Sequence, residues 1–402
     1  MNTKRKGEKM QDKREEDSLK QQILEIMKEE QTTRNEHQSV RNVPQDSLRM
    51  RNRKRVKKKK HKALKIVGIT IVTLLLLMAL ILGTKFGRRM IYRSASDFMY
   101  ENMDNEDIIN EYEEDGNDQY TDAIRQEDYI TNYLIFGIEE IGGARNTDSM
   151  MIASINTKDD TLKLTSLLRD SYVEIPGYKS NKLNSAYAKG GARLLVDTIE
   201  LNYKIKIEGY ASVDFKSFEK IVDLLGGVTI ELGEKEAEYL NTTNYISKKA
   251  NRNVKPGINK LNGNQVMGYC RVRKVETLGG VNNDYGRIVR QQRALKAIFD
   301  SYKSPKNLLK ILPITKEILG YVTTNLTQNQ IEQAMEDVVE NKMNDLETFR
   351  IPVDGAFDAP KRYNGIGYPI VLDWETNRIE LYKFIFHDTE KEAKEALASL
   401  GD

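Results

Sequence analysis

The chain has 402 residues, of which 31% are charged and 39% belong to the hydrophobic class. This composition excludes a membrane protein with several spans, and the length leaves room for one sizeable globular domain with appended segments. The net charge of +3 is the sum of segments of opposite sign, so the position of the charges is more informative than their total.

The N-terminal segment is strongly basic. Residues 1–65 hold 21 Lys and Arg against 10 Asp and Glu, and most of the excess lies in residues 51–60. A composition rich in Lys, Glu, Gln and Asn is typical of a disordered arm, so we predict residues 1–62 to be a disordered cytoplasmic tail. Beside a membrane span, the basic run is interpreted as a topology signal that contacts anionic lipid rather than as a nucleic-acid site.

An apolar run follows the basic tail. Residues 66–83 contain no charged side chain, and a helix of that length approaches the thickness of a bilayer core, ~30 Å. We therefore predict one transmembrane helix over residues 63–84. A cleaved signal peptide is the alternative, but its apolar region is usually shorter and starts nearer the N-terminus. The denser positive charge before the run predicts a cytoplasmic N-terminus and an extracellular remainder, held in the cell membrane by a single pass.

The segment after the span is acidic. Residues 94–129 hold 13 Asp and Glu and only one basic residue, Arg125. Like charges repel one another and extend a chain, so residues 85–129 are predicted to be an acidic extracytoplasmic linker.

From residue 130 the sequence alternates between short apolar runs and helical patterns. This alternation predicts an α/β fold, namely an extracytoplasmic α-β-α layered domain with a mixed central sheet, over residues 130–387. A C-terminal helix or tail is predicted over residues 388–402. The predicted strands are 133–136, 150–155, 162–168, 228–232, 347–352 and 368–373, and the predicted helices are 186–201, 215–225, 285–302, 306–319 and 328–341.

Cysteine and histidine are scarce. Cys270 is the single cysteine, so it has no partner for an internal disulfide, and its apolar flanks predict a packed side chain. Two of the three histidines precede the predicted span, which leaves His387 alone outside. A Cys/His zinc site and a histidine-driven catalytic triad are both disfavoured. Any chemistry must come from Arg, Lys, Asp, Glu and other polar side chains.

The densest group of polar residues lies between 271 and 293. Arg271 and Arg273 are two apart, which predicts one face of an extended segment. Asp284 lies near the start of a predicted helix whose next turns place Arg287, Arg290 and Gln291 on one face. Several guanidinium groups together suit a pyrophosphate, because they bind phosphate oxygens in pairs and stay charged. A salt-bridged helical surface is the alternative.

A second group of charged residues lies upstream. Glu139 and Asp148 flank two predicted strands, and Arg169 and Asp170 follow a third. Open α/β sheets bind ligands beyond the carboxyl ends of their strands. Magnesium held by one or two carboxylates and by substrate phosphates would account for acids and arginines in one place.

Taken in order, these blocks resemble the LytR-CpsA-Psr family. The resemblance is strong over about residues 130–300 and compatible to about residue 385. The blocks that carry it are Gly137-Ile-Glu139, Asp148-Ser-Met-Met-Ile152, Ser166-Leu-Leu-Arg-Asp-Ser-Tyr-Val-Glu-Ile-Pro-Gly177, Lys182–Gly191, Ile221–Val228, Leu261–Gln265, Arg271-Val-Arg273 and Asp284–Gln291.

The resemblance implies a magnesium-dependent phosphotransferase of Gram-positive cell walls. Such an enzyme moves an anionic glycopolymer, such as teichoic acid or capsular polysaccharide, from a polyprenyl-pyrophosphate carrier to the C6 hydroxyl of peptidoglycan muramic acid. The expected catalytic residues are Arg169, Asp148 and Asp284. Pyrophosphate binding is expected from Arg169, Arg271, Arg273, Arg287, Arg290 and Gln291. Magnesium is expected at Asp148 and Glu139.

This sequence departs from the family pattern in three places. Glu139 stands where the family has its first metal-binding Asp, Leu168 replaces the usual Pro before Arg169, and the loop that holds Arg145 is short. Either Asp148 or Asp170 is expected to accept the proton of the incoming hydroxyl. The long apolar groove that the lipid requires has candidates in the helices at 186–201 and 215–225.

Two rival functions remain open at this stage. A pyrophosphatase would act on the same lipid with water as the acceptor and would release free polymer. A transcriptional attenuator of cell-envelope genes would use the basic tail, although residues 1–60 show no helix-turn-helix pattern and no nucleic-acid partner is predicted.

Overall fold

The computed structural model describes residues 83–105, 124–141, 144–302 and 314–401, and residues from Lys85 onward form one unit. The predicted tail 1–62 and the predicted span 63–84, except for Gly83 and Thr84, lie outside the described residues. The middle of the predicted linker and the start of the predicted helix 306–319 lie outside them as well. Within the described ranges, no helix is both long and apolar enough to cross a membrane.

A mixed seven-stranded sheet forms the centre of the unit, in the order β1-β10-β7-β2-β3-β4-β11. Strands β2, β3 and β4 form an antiparallel meander, whereas β7 runs parallel to β2 and β11 runs parallel to β4. Consequently β2, β4, β7 and β11 all end at the same edge of the sheet. The sheet strands are β1 (Asp104–Asn105), β2 (Ile130–Ile141), β3 (Ala144–Asn156), β4 (Thr161–Leu167), β7 (Gly209–Asp214), β10 (Thr323–Thr324) and β11 (Leu346–Ile351).

Four small two-stranded sheets accompany the central one. Their strands are β5 (Tyr172–Ile175) with β6 (Tyr178–Lys182), β8 (Val228–Leu232) with β9 (Gly257–Leu261), β12 (Phe357–Asp358) with β15 (Val371–Leu372), and β13 (Arg362–Tyr363) with β14 (Ile366–Gly367). The described helices are α1 (Lys85–Asn102), α2 (Asn184–Tyr203), α3 (Phe215–Leu224), α4 (Glu234–Thr242), α5 (Gly263–Arg271), α6 (Asn283–Tyr302), α7 (Thr315–Leu319), α8 (Gln328–Glu340), α9 (Trp374–Phe386) and α10 (Glu390–Leu400).

Apolar side chains alternate along the strands and so cover both faces of the sheet. Leu134 and Phe136 of β2 belong to a core cluster with residues of α2 and α9. Tyr133, next to Leu134, belongs to a second cluster with Ile155 and Met343, against which residues of α8 pack. A third cluster joins β8, β9, α4, α5 and α6 into a helical layer beside the sheet. The predicted α/β fold with a mixed central sheet is therefore confirmed.

Most of the predicted elements are present, with shifted ends. The strands predicted at 133–136 and 150–155 are longer than expected, whereas the one predicted at 162–168 keeps its length and is shifted by one residue. The helices predicted at 186–201, 215–225, 285–302 and 328–341 correspond to α2, α3, α6 and α8. The strand predicted at 368–373 is reduced to β15. The segment predicted as an acidic linker begins with α1, which packs on α8 through a double hydrogen bond from Arg88 to Glu340.

Candidate active site

A β-bulge places the first acidic side chain of the site. Gly137 of β2 pairs with Ser149 of β3, and Ile138 pairs with Thr147, so Asp148 is the extra residue on its strand. Bulges bend a strand and redirect a side chain, and they are common beside active sites. The bulge lies at the edge where β2 and β4 end, and Arg169 follows β4 by two residues. Asp148, Glu139 and Arg169 therefore meet at the carboxyl edge of the sheet.

The carboxyl groups of Glu139 and Asp148 lie within hydrogen-bond reach of each other. Each also pairs with an arginine: Arg271 donates a 2.8 Å hydrogen bond to Glu139, and Arg169 donates to Asp148. Burial and the neighbouring Asp148 raise the pKa of Glu139 above its usual value. Burial also acts to raise the pKa of Asp148, but Arg169, the hydrogen bond with Glu139 and Arg287 outweigh it and lower that pKa. The pair thus tends to share a proton, as two close carboxylates do.

A second carboxylate organises the other side of the site. Asp284, in the first turn of α6, lies 2.5 Å from Arg273 and 2.9 Å from Arg287. Arg287 is 5% exposed, and burial lowers the pKa of its guanidinium even though Asp284 opposes the shift. Asp148 also acts on Arg287 electrostatically, and Asp284 acts on Arg169, so the two sides form one charged cluster. The predicted residues Arg169, Arg271, Arg273, Arg287, Asp148, Asp284 and Glu139 are therefore brought together.

The prediction that Arg271 and Arg273 share a face of one extended segment is wrong. Arg271 is the last residue of helix α5, and Val272 after it is extended. The two side chains consequently contact different carboxylates, Glu139 for Arg271 and Asp284 for Arg273. Arg271 therefore belongs to the Glu139–Asp148 side of the cluster, and Arg273 belongs to the Asp284 side.

Arg290 stands apart from the cluster, although its spacing placed it there. It is fully buried and forms a 2.7 Å ion pair with Glu236, which is itself 1% exposed. It also donates to the backbone carbonyls of Val272 and Val275 at 3.1 and 2.8 Å. Arg290 therefore stabilises the position of the loop that carries Arg273. The helical spacing of residues 287 and 290 gave no signal for this difference, because the partner Glu236 lies far away in sequence.

An apolar cavity of about 150 Å³ opens beside the cluster. Its lining includes Phe136 and Met151 from the sheet, Phe215 and Phe218 from α3, and Cys270 from α5, with Arg271 and Gln291 among the polar lining residues. Helix 215–225 thus contributes as a groove candidate, whereas α2 does not line this cavity. Burial raises the pKa of the Cys270 thiol to about 12, which confirms a packed side chain rather than a reactive one.

A polar cleft of about 530 Å³ also borders the cluster. Its charged lining residues are Arg169, Asp170, Lys182, Arg273 and Asp284. Lys182 pairs with Asp170 at 2.8 Å, and Asp170 lies 3.5 Å from the Nε of Arg169. The cavity and the cleft have no lining residue in common, and the charged cluster contributes Arg271 to the apolar space and Arg169, Arg273 and Asp284 to the polar one.

The carboxyl pair suits a divalent cation in its donor chemistry. Mg²⁺ in proteins is commonly bound by one or two carboxylates together with water and substrate phosphates. Glu139 and Asp148 supply two adjacent carboxyl groups whose mutual repulsion a cation would relieve. No cluster of three or more His, Cys, Asp or Glu side chains that could hold a metal occurs in the described ranges.

The sequence profile of the LytR_cpsA_psr family matches residues 96–379. The curated relatives carry two kinds of name. The regulatory protein MsrR of Staphylococcus aureus strain Mu50 is 28% identical over 270 residues, which is 67% of this chain and 78% of that protein. The polyisoprenyl-teichoic acid–peptidoglycan teichoic acid transferase TagU of Bacillus mycoides is 32% identical over 242 residues, which is 60% of this chain and 73% of that protein.

Solved structures share the fold. The structure of TagT bound to LIIa-WTA has a TM-score of 0.51 and 23% identity, and the match covers 69% of this chain and 96% of that one. The structure of TagT from B. subtilis has a TM-score of 0.50 at the same identity and coverage. At these identities the likeness concerns the arrangement of helices and strands.

Proposed function

The chain belongs to the LytR-CpsA-Psr family, and on that premise we propose that it transfers an anionic glycopolymer from a polyprenyl-pyrophosphate carrier to peptidoglycan. The acceptor is the C6 hydroxyl of muramic acid, and the polymer is a teichoic acid or a capsular polysaccharide. The observation that carries this proposal is the position of the charged cluster. Arg271 lines the apolar cavity and pairs with Glu139 of the cluster, so a charged and an apolar region adjoin, as an amphiphile with a pyrophosphate head and a hydrocarbon tail requires.

The apolar cavity would receive the first part of the polyprenyl chain. Its volume of about 150 Å³ accommodates a group of roughly benzene size. A longer chain would have to displace side chains such as Met267 and Leu295, which line the cavity. The pyrophosphate would then lie beside Arg271 and Gln291 at the mouth.

The arginines would neutralise the charge of the two phosphates. Arg169, Arg273 and Arg287 are already held by Asp148 and Asp284, so they need little rearrangement to meet phosphate oxygens. Donors fixed in advance stabilise the charge that develops as the bridging oxygen leaves, and such electrostatic terms are usually the largest in phosphoryl transfer. Arg290 would act indirectly, by fastening the loop of Arg273.

Asp148 and Glu139 would hold Mg²⁺, which supplies positive charge that polarises the phosphate oxygens when it is bound. Both carboxyl groups must be deprotonated to bind a cation, so the raised pKa of Glu139 favours magnesium binding at neutral rather than acidic pH. The extra methylene of Glu139 relative to the Asp of the family does not prevent contact with Asp148.

The proton of the attacking hydroxyl needs an acceptor. The lowered pKa of Asp148 makes it a weak base, and its partners are Arg169 and Glu139. Asp170 lines the polar cleft beside Arg169 and lies outside the Glu139–Asp148 pair. We therefore favour Asp170 as the group that accepts the proton while polyprenyl phosphate departs.

The reaction requires the domain to face the cell wall. We propose that residues 63–84 form a single membrane span with the N-terminus in the cytoplasm, as the charge distribution of the sequence predicts. A reporter fused to the C-terminus would be active only outside the cell. A cytoplasmic C-terminus would exclude the transfer reaction and favour the regulatory function that the name of the relative MsrR suggests.

The direct test is a reconstituted transfer reaction. The purified full chain is incubated with a polyprenyl-pyrophosphate-linked polymer precursor and peptidoglycan, and the products are identified by mass spectrometry. A polymer–peptidoglycan conjugate is expected, and Arg287→Ala should abolish it, while the surface control Arg193→Ala should not, because Arg193 pairs only with Asp197 on α2. Free polymer without any conjugate would instead establish a pyrophosphatase.

A further inference from the structure

The polar cleft contains features that binding of a pyrophosphate does not explain. Beyond the arginines, one wall of the cleft is lined by Phe357, Ala359, Pro360 and residues 368–370, which flank the β13–β14 hairpin. Tyr285 also lines the cleft and packs against this wall, with its ring 5.8 Å from that of Phe357. At about 530 Å³ the cleft has the size of a small-molecule site, ~300–1,000 Å³.

Tyr368 is the most unusual residue of this wall. Its residue surface is 70% exposed, and its backbone φ is +52°. A bulky side chain in the left-handed region is an outlier that costs of order 1–3 kcal/mol, and such strain is concentrated at ligand clamps and active sites. A ring that is 70% exposed contributes little to the core, and on the wall of the cleft it is accessible to a bound ligand.

The wall is tied to the loop that carries Arg169 and Asp170. The backbone N–H of Ile370 donates to the carbonyl of Asp170 at 2.8 Å, and the N–H of Tyr172 donates to the carbonyl of Ile370 at 2.7 Å. The ring of Tyr363 also meets that of Tyr172 edge to face, with centroids 5.0 Å apart. A ligand that binds this wall would therefore lie at a fixed position relative to Arg169, the residue before Asp170.

The chemistry of the cleft fits a carbohydrate. Aromatic faces carry negative charge density that attracts the C–H groups of a sugar ring, and Tyr368, which lines the cleft, is 70% exposed. Sugar hydroxyls both donate and accept hydrogen bonds, and the Lys182–Asp170 pair offers a donor and an acceptor in the cleft. Neither the donor polymer nor the acceptor glycan is distinguished by this chemistry alone.

The geometry of phosphoryl transfer distinguishes the donor polymer from the acceptor glycan as the occupant of the cleft. The attacking and leaving oxygens lie roughly in line on opposite sides of the phosphorus. If polyprenyl phosphate leaves toward the apolar cavity, the hydroxyl must arrive from another direction. The polar cleft, which shares no lining residue with the cavity and is lined by Arg169 and Arg273 of the same cluster, offers that second approach. We propose that this cleft binds the acceptor glycan, and that Tyr368 is the residue on which one of its sugar rings packs. The assignment rests on the proposed transfer function.

The test measures the binding of two probes to the full chain. One probe is a tetrasaccharide of peptidoglycan that contains muramic acid, and the other is a polyprenyl pyrophosphate that carries a single disaccharide. Tyr368→Ala should weaken tetrasaccharide binding about 10-fold, which corresponds to ~1.4 kcal/mol, and leave binding of the lipid unchanged. Tyr368→Phe should retain binding, because it keeps the ring.

Two further variants control the interpretation. Tyr178→Ala removes another exposed tyrosine, on β6, which does not line the cleft and should leave both affinities unchanged. Tyr368→Gly removes the ring and the backbone strain together, so it should lose tetrasaccharide binding without loss of stability. A loss of glycan affinity that appears only with a loss of stability would overturn the proposal.

The outcomes separate this proposal from the transfer function. If Tyr368→Ala weakens only the lipid-linked disaccharide, the cleft holds the donor sugar and the acceptor assignment is wrong. Unchanged binding of both probes would also overturn it. If the wild-type chain binds the tetrasaccharide through Tyr368 but forms no conjugate, the cleft stands as a glycan site and the transfer function fails.

Discussion

Arg287 and Arg290 lie three residues apart on α6, and the structure predicts different effects of their substitution. Loss of Arg290 should mainly lower stability, whereas loss of Arg287 should mainly lower substrate binding. Arg290 is fully buried and donates to Glu236 and to the carbonyls of Val272 and Val275. Arg290→Ala leaves Glu236, which is 1% exposed, as an unpaired buried charge. Removing one partner of a buried ion pair costs about 3–5 kcal/mol, so the free energy of unfolding should fall by that amount.

Arg287 should behave differently, because its ion pairs offset the cost of burying its charge less completely than those of Arg290. Burial lowers the pKa of its guanidinium, and the positive charges of Arg169 and Arg273 act in the same direction, against Asp284 and Asp148. Arg287→Ala relieves part of this repulsion. We expect the free energy of unfolding to fall by less than about 1 kcal/mol, as for substitutions outside compensated buried pairs.

Urea unfolding of the full chain, followed by circular dichroism, measures both effects. Farnesyl pyrophosphate serves as a soluble probe of the site, and at 100 times its Kd it should stabilise the wild-type chain by about 2.7 kcal/mol. Arg287→Ala should lose this stabilisation, whereas Arg290→Met should keep at least part of it despite a lower starting stability. An Arg287→Ala variant that unfolds as easily as Arg290→Ala and still responds to the probe would refute the distinction.

Three further substitutions test other parts of the site. Glu139→Gln should abolish magnesium-dependent transfer and Glu139→Asp should retain it. Because burial raises the pKa of Glu139 and disfavours its charged form, its contribution to apo stability should be present at acidic pH and lost as pH rises through that pKa. A pH series of unfolding in chelator checks this as the difference between the wild-type chain and the Gln variant, in which all other groups still titrate. Gly137→Leu should fill the apolar cavity and raise the KM for the lipid about 10-fold, while Gly137→Ala, whose Cβ finds its nearest neighbours at 3.7 Å, should be tolerated. Cys270 should fail to react with a thiol reagent at pH 8 until the chain is unfolded, since its pKa is about 12.

The sequence predicted the parts of the fold that depend on local patterns. Apolar alternation located the three strands of the meander, and helical spacing located α2, α3, α6 and α8. The short strands β5, β6 and β12 and the β13–β14 hairpin were missed, because each strand is only two to five residues long and offers too short a pattern. These segments are stabilised by backbone pairing with residues distant in sequence, such as that of Ile370 with Asp170 and Tyr172.

The sequence predicted most of the charged residues of the site but not how they contact one another. The family blocks identified the charged residues, yet they gave no indication that Arg271 ends a helix or that Arg290 faces Glu236. Asp148 could not be recognised as a bulged residue, since a bulge is defined by the register of two strands. Residue type thus indicates which chemistry is available, whereas long-range pairing determines which residues perform it.

The charge of the cluster explains why pairing matters so much. Arg169, Arg271, Arg273 and Arg287 bring four positive charges to one place, and Glu139, Asp148 and Asp284 bring at most three negative ones. A pyrophosphate diester carries two negative charges and Mg²⁺ two positive ones, so the two together leave the net charge of the cluster unchanged. Either one alone would shift it by two units in a partly buried site, where unbalanced charge is costly. On the proposed function, each would therefore favour binding of the other, and a near-neutral domain would hold a highly charged substrate without a large net charge of its own.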